Sequence, residues 1–275
     1  MPLNIPQATP DSALKVISYN VWMFNGGDAD EETNPTLQYI VEQDADILCL
    51  QEADVSGERK EKVEAALAKL YAYADTSNRK HGGGVLAVYS KYPIVKKENI
   101  EYPSETNHSA AFYLDINGDT VIVINNHFES IRLSSEDRGN FKGMVKGDME
   151  GRQIELEGRK LFSKLAAASK KRAPQADAVA QYIDKHRGKS MIVCGDFNDS
   201  PISYARRTVA KQLTDCYVAS GNGAGISYHL GGFYVRIDNM MCSPDWMLYD
   251  CKVDDAVKTS DHYPIICHLA KRIIP

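Results

Sequence analysis

Apolar runs of strand length, each closed by a polar or histidine-bearing motif, recur over almost the whole chain and constrain its fold more than any other feature. Residues 14–17 run into Ser18-Tyr19-Asn20, 45–50 into Gln51-Glu52, 120–124 into Asn125-Asn126-His127, and 190–194 into Gly195-Asp196-Phe197-Asn198. Residues 234–237 read the same way before Asp238, and Ser260-Asp261-His262 comes near the end. A strand buried on both faces is apolar throughout, so its polar residue stands where the chain leaves the sheet. Any one such motif is explained by turn chemistry, because Asp, Asn and Gly end strands readily. Their ordered recurrence predicts instead an α/β fold whose strand ends gather two His, three Asp, one Glu and two Asn at one rim.

Between these runs the chain alternates. Strand-like segments at 14–20 and 45–52 bracket a helical stretch at 36–43, and Val63, Ala66, Leu67 and Leu70 mark a second helix over 58–70. Four strand candidates come next at 85–89, 94–102, 110–116 and 120–124, the last two joined by the hairpin signal Asn117-Gly118. After His127 the sequence turns polar and basic, with 13 Lys and Arg against 8 Asp and Glu over residues 131–187. It reads as irregular to about Gly151 and then helical: Ile154, Leu161, Leu165 and Ala168 give one apolar face, Val179, Tyr182 and Ile183 continue after Pro174, and residues 175–186 look like the required crossover helix. The stretch 131–172 exceeds what a crossover needs and reads as a basic insertion. Residues 1–13 read as a flexible leader and 14–275 as one domain.

Hydrolysing a phosphoester requires neutralised phosphate charge, an aligned water and help for the leaving oxygen. Carboxylate and amide oxygens without nitrogen-rich or sulfur ligand sets suit Mg²⁺ or Mn²⁺, and Glu52 is the first choice of ligand. Asp196 and Asn198, two apart, share a side if the backbone stays extended, so they could hold one water or phosphate oxygen. His262 faces away from its neighbour Asp261 on a strand and needs another carboxylate to orient it.

On these residues the chain resembles the endonuclease/exonuclease/phosphatase superfamily, the group of deoxyribonuclease I and exonuclease III. The resemblance runs from about Val16 to Leu269 and rests on Asn20, Gln51-Glu52, Tyr89-Ser90-Lys91-Tyr92-Pro93-Ile94, Gly195-Asp196-Phe197-Asn198, Arg236-Ile237-Asp238 and Ser260-Asp261-His262. It implies a four-layer sandwich, two packed mixed β-sheets flanked by helices, and a metal-dependent hydrolase of phosphodiesters or phosphomonoesters, with a nucleic-acid-type substrate preferred. It implies that Asn20 and Asp261 complete the Glu52 metal site, that Asp196 activates water, that Asn198 binds a phosphate oxygen, and that Asp238 orients His262.

His127 is the residue that separates the branches. Exonuclease III-like repair enzymes carry Tyr there, with Pro-Asn shortly after, whereas this chain reads His127-Phe128-Glu129-Ser130. That string resembles the His-Leu-Glu-Ser of tyrosyl-DNA phosphodiesterases, and a histidine is shared with sphingomyelinases and deadenylases, where it binds phosphate or protonates the leaving group. Tyr19-Asn20-Val21-Trp22-Met23 and Asp261-His262-Tyr263-Pro264 resemble bacterial sphingomyelinases, so a lipid phosphodiesterase is the alternative; Trp22-Met23-Phe24 would be its membrane patch. An inactive binding module of this fold is disfavoured because every expected position is filled. Ser130, His229, Lys142 and Arg152 are candidate substrate contacts, and Lys142, Lys146, Arg152 and Arg159 would make the insertion a substrate-selecting cap.

Composition narrows the rest. A net charge of -5 argues against strong nonspecific attraction to nucleic acid. Six cysteines, at 49, 194, 216, 242, 251 and 267, form no Cys-x-x-Cys, so buried free thiols and a reducing compartment are expected. His81, His108, His186 and His268 lack any motif context. The first thirteen residues do not read as a secretory signal, which favours the cytoplasm while leaving an upstream targeting segment open. The expected partner is the phosphoester substrate, nucleic acid among the candidates, with the protein a monomer and no obligate protein partner.

Overall fold

A computed structural model describes residues 1–25, 34–79 and 84–272. His81 lies outside the described residues. The first half of the chain forms strand β1 (Leu14–Asn20), helix α1 (Pro35–Gln43), β2 (Ile47–Gln51), α2 (Gly57–Leu67), β3 (Tyr73–Ser77), β4 (Leu86–Ser90), β5 (Ile94–Ile100), β6 (Ser109–Ile116) and β7 (Asp119–His127). The second half forms α3 (Ser135–Lys146), α4 (Gly151–Lys185), β8 (Ser190–Asp196), α5 (Tyr204–Val209), β9 (Thr214–Asp215), α6 (Cys216–Ser220), β10 (Asp238–Cys242), β11 (Trp246–Val253) and β12 (Ile265–Lys271).

Local chemistry sets the boundaries. Asn34 caps α1 by accepting from the Leu37 N–H at 3.0 Å, with Pro35 at the first helical position. Asn117 and Gly118 both take positive φ, 55° and 92°, which the tight β6–β7 turn requires. Ser134 and Asp137 form a reciprocal capping box at the start of α3.

Two six-stranded sheets result, in the orders β11-β12-β1-β2-β4-β3 and β5-β6-β7-β8-β10-β9. Both are mixed: β1 runs parallel to β2 and β7 to β8, while β12 and β10 pair antiparallel to β1 and β8. Val16, Cys49, Phe112, Val123, Cys194 and Met240 meet between the sheets. Ile17, Leu48 and Leu50 turn outward against α1 and α2, and Ile124, Val193 and Met241 turn outward against α4 and α5. The architecture is therefore helix, sheet, sheet, helix.

This alternation also places the polar motifs. Asn20, Gln51, Asn125, His127, Asp196 and Asp238 share the parity of the inter-sheet residues on their own strands, so they stand at the open rim of that core.

Two expectations need correction. Residues 234–237 are not a strand; Asp238 begins β10 instead of closing one, because an antiparallel neighbour of β8 must enter where β8 leaves. The stretch before Gly151 is not irregular, since the capped α3 fills residues 135–146, and the helix beyond it continues through Pro174. The 35-residue α4 runs through it, anchored on either side by the buried Arg172, bonded to the Glu129 carbonyl and to Asp199, and by Gln175, which accepts from the Glu129 N–H at 2.9 Å. Within residues 1–13, Asn4 Nδ2 donates to the Gly221 carbonyl at 2.6 Å, and Gly223 N–H to the Pro2 carbonyl at 3.1 Å. All six cysteines are buried and free. No described helix is long and apolar enough to cross a membrane.

Candidate active site

Beneath the rim, a layer of amides joins the two sheets. Gln51 Nε2 donates to Ser18 Oγ at 3.2 Å and across to Asn125 Oδ1 at 2.6 Å, and Asn125 Nδ2 donates to the carbonyls of Leu50 and Ala87. These buried amide bonds fix the separation of strand ends that apolar packing alone would leave free to slide.

Above that layer sits the reactive group. Asn20 Nδ2 donates to Glu52 Oε1 at 3.1 Å and to Asp196 Oδ2 at 3.3 Å. The His127 Nε2 lies 3.7 Å from Glu52 Oε1 and 3.6 Å from Asp196 Oδ2. His262 Nδ1 donates to Asp238 Oδ2 at 2.8 Å, while its Nε2 is 3.7 Å from Asp196 Oδ2. Ser260 Oγ clamps the last motif to β1 through the Asn20 carbonyl, at 2.7 Å, and Ser227 Oγ receives both the Ile237 and Asp238 N–H groups. Seven of the eight expected catalytic and metal residues thus meet through these contacts or stand beside them, and the eighth, Asp261, lines the same cleft.

Asp196 and Asn198 do meet, though not by an extended backbone. Asn198 takes φ of 51°, and its N–H and Nδ2 fold back onto the Asp196 carboxylate at 2.7 and 3.0 Å. Such a side-chain turn is an Asx habit, and left-handed backbone is most tolerable at Asn.

Electrostatics divide the roles. Burial pushes the Asp196 carboxyl up to about 6, with the His262 charge pulling the other way. Burial by itself would lower His262, but Asp238 and Asp196 outweigh it and hold the imidazole well above its ordinary value. His262 is therefore cationic near neutral pH.

Asp196, Asp238 and His262 each offer an atom within 4.8 Å of the others, a spacing a metal ion could use. The chemistry argues otherwise, since an imidazolium has no lone pair to give and repels a cation. Glu52 and Asp261 fit better: both line the cleft, both offer only oxygen, and burial together with the Glu52 charge raises the Asp261 carboxyl. With Asn20 Nδ2 bonded to Glu52 Oε1, the Glu52 and Asp261 oxygens could hold a hard divalent cation.

The cleft, about 190 Å³, is walled by Ile131, Leu133, Tyr228, Phe233 and Val235 and roofed by Arg132 and Arg138. Ser130 lines it as expected. Lys142 does not: it packs its stem over Gly232 on the outer side of α3. Arg152 is exposed at the start of α4, and Arg159 pairs with Glu155 on its own helix at 2.7 Å. His229 stacks on Tyr263 with ring centroids 4.0 Å apart and lies outside the cleft lining. Sequence reading missed Arg138 and Tyr228; the capping box of Ser134 and Asp137 was the available signal, because it sets the first turn of α3 directly after the His127 motif.

A family profile described as the endonuclease/exonuclease/phosphatase family matches residues 17–262, from within β1 to His262. The chain belongs to that family. No curated protein matches it at a significant level. Among solved structures it is similar to humanized D. rerio TDP2, with a TM-score of 0.69, 16% identity, and coverage of 95% of this chain and 100% of that one. The human Nocturnin catalytic domain with bound sulfate anion gives 0.65 at 17% identity, covering 95% and 94%. Bacteroides thetaiotaomicron mannosyl-6-phosphatase gives 0.60 at 16% identity, covering 94% and 99%. At such identities the likeness establishes the fold.

Proposed function

We propose that the protein is a divalent-metal-dependent phosphoesterase that hydrolyses a phosphodiester, or a phosphomonoester, by in-line attack of water, with nucleic-acid-type substrates preferred. The observation that carries this is the buried series Asp238, His262, Asp196, closed on its far side by His127, Glu52 and Asn20 in one cleft. Asp196, with a carboxyl near 6, can accept a proton from water at neutral pH. His262, held cationic by Asp238, places positive charge where the pentavalent phosphate becomes most negative. Asn198 binds a phosphate oxygen, Asn20 adjoins the metal site through Glu52, and His127 serves the leaving oxygen. A divalent ion held at Glu52 and Asp261 would neutralise phosphate charge.

The lipid alternative is not favoured by the surface. Phe24 is buried in the core under α1, so of Trp22, Met23 and Phe24 only Trp22 is exposed, at 38%.

The test is hydrolysis of bis-p-nitrophenyl phosphate with Mg²⁺ or Mn²⁺, then with chelator, and after that a panel of DNA, RNA, a 5′-tyrosyl oligonucleotide, inositol phosphates and sphingomyelin. Full activity of metal-stripped protein in chelator would overturn the metal mechanism.

A further inference from the structure

Arg138 stands in the first turn of α3 and lines the cleft with Asp196, Asn198, Asp261 and His262. Its guanidinium donates to the Leu133 carbonyl at 2.8 Å, and among the described residues no carboxylate forms an ion pair with it. Arg132, the other guanidinium of the roof, is already neutralised by Glu105 and Glu129, each at 3.1 Å. A half-buried guanidinium without a counter-charge contributes little to stability, yet its planar fork matches the oxygens of a phosphate.

Its position is built. At Gly231, φ 66°, an added Cβ would stand 2.6 Å from Arg138 Cδ and 2.8 Å from its Cβ, so glycine is what lets the arginine stem lie there. One turn on, Phe141 stacks on Phe233 with centroids 4.0 Å apart and locks α3 to the 229–235 loop. Tyr228 then stands between Arg138 and His262. Burial pushes the Tyr228 phenol up to about 12, and the guanidinium facing its hydroxyl opposes that rise. The other side of the ring meets the His262 imidazole edge-on, centroids 5.2 Å apart. Arg138 therefore stands at the hydroxyl end of Tyr228, whereas His262, its bridge partner, lies beside the ring, so the two cations mark different points along the cleft.

We propose that Arg138 forms a second anion subsite, which takes a phosphate adjoining the scissile one. The inference rests on the phosphoesterase reading and narrows its substrate to esters carrying a further phosphate, as a nucleotide chain does.

The probe is a pair of esters sharing one scissile bond: the p-nitrophenyl ester of thymidine 5′-phosphate, and the same ester with a 3′-phosphate. Wild type should prefer the 3′-phosphorylated ester through KM, by about tenfold at low salt, the scale of one charged hydrogen bond. Arg138→Ala should bring that preference near unity, Arg138→Lys should restore part of it, and salt should erode it in the wild type. No preference in the wild type, or one that survives Arg138→Ala in protein whose thermal unfolding is unchanged, would overturn the subsite. If the wild type hydrolyses neither ester with Mg²⁺ or Mn²⁺, the phosphodiesterase reading fails separately. The two esters, then stable, are titrated calorimetrically, and their ratio of affinities in wild type and Arg138→Ala decides the subsite alone.

Discussion

Asp196 and Asp238 are register partners, the last residue of β8 against the first of β10, so two buried carboxylates face the same imidazole from adjacent antiparallel strands. Neither motif could place the other from sequence spacing, and the pair explains why His262 is cationic although buried.

Glu52 and His262 should fail differently. Glu52→Gln should weaken metal affinity, with activity recovering as Mg²⁺ or Mn²⁺ is raised. His262→Ala should lower kcat by about 10²-fold or more at saturating metal, the scale of losing one transition-state donor. Metal titrations of both variants decide it, and a His262→Ala enzyme restored to wild-type rate by metal would refute the phosphate-stabilising role.

Asp238→Asn should move the basic limb of the pH–rate profile to lower pH. The proposed mechanism requires His262 protonated, so activity should be present below its raised pKa and lost above it; removing the Asp238 charge lowers that pKa. A profile of kcat/KM against pH that keeps its basic limb in place would contradict this assignment.

His108 should make stability pH-dependent without touching the chemistry. Burial lowers its imidazole to about 4, while Nε2 bonds the Ser77 carbonyl at 3.0 Å. The unfolded chain, with histidine near 6.5, takes the proton first. This contribution is therefore full above about 6.5 and is lost as pH falls towards about 4. Denaturant midpoints at pH 7 and pH 5 should converge in His108→Gln relative to wild type, and an unchanged difference would count against it.

Gly195→Ala should destabilise by about 3 kcal/mol or more, through strain and overpacking together. Gly195 takes φ of 126°, and an ideal Cβ there would lie 2.0 Å from the Asn126 carbonyl oxygen on β7. Thermal unfolding measures this directly, and a loss under about 1 kcal/mol would show that β7 and β8 can spread at the site.

The chain itself makes much of this legible. Strand-length apolar runs, a two-residue Asn-Gly turn and polar run ends are local signals, and local chemistry decides them: burial on both faces removes polar residues from a strand, and only certain residues tolerate positive φ. Hence β1, β2, β7 and β8 and the residues at their ends, from Asn20 to Asp196, can be read one segment at a time. The consequences of strand pairing cannot. Residues 234–237 look as much like a strand as 238–242 do, and only the antiparallel fit against β8 selects the latter. Pro174 should break a helix by local rules, yet buried anchors at Arg172 and Gln175 carry α4 through. The basic excess after His127 is visible in the sequence, but charge count carries no direction. Which guanidinium turns inward depends on where α3 packs, and it is the contacts of Phe141 on Phe233 and of Arg138 on Gly231, made between segments far apart in the chain, that bring Arg138 to the cleft and leave Lys142 and Arg152 outside it.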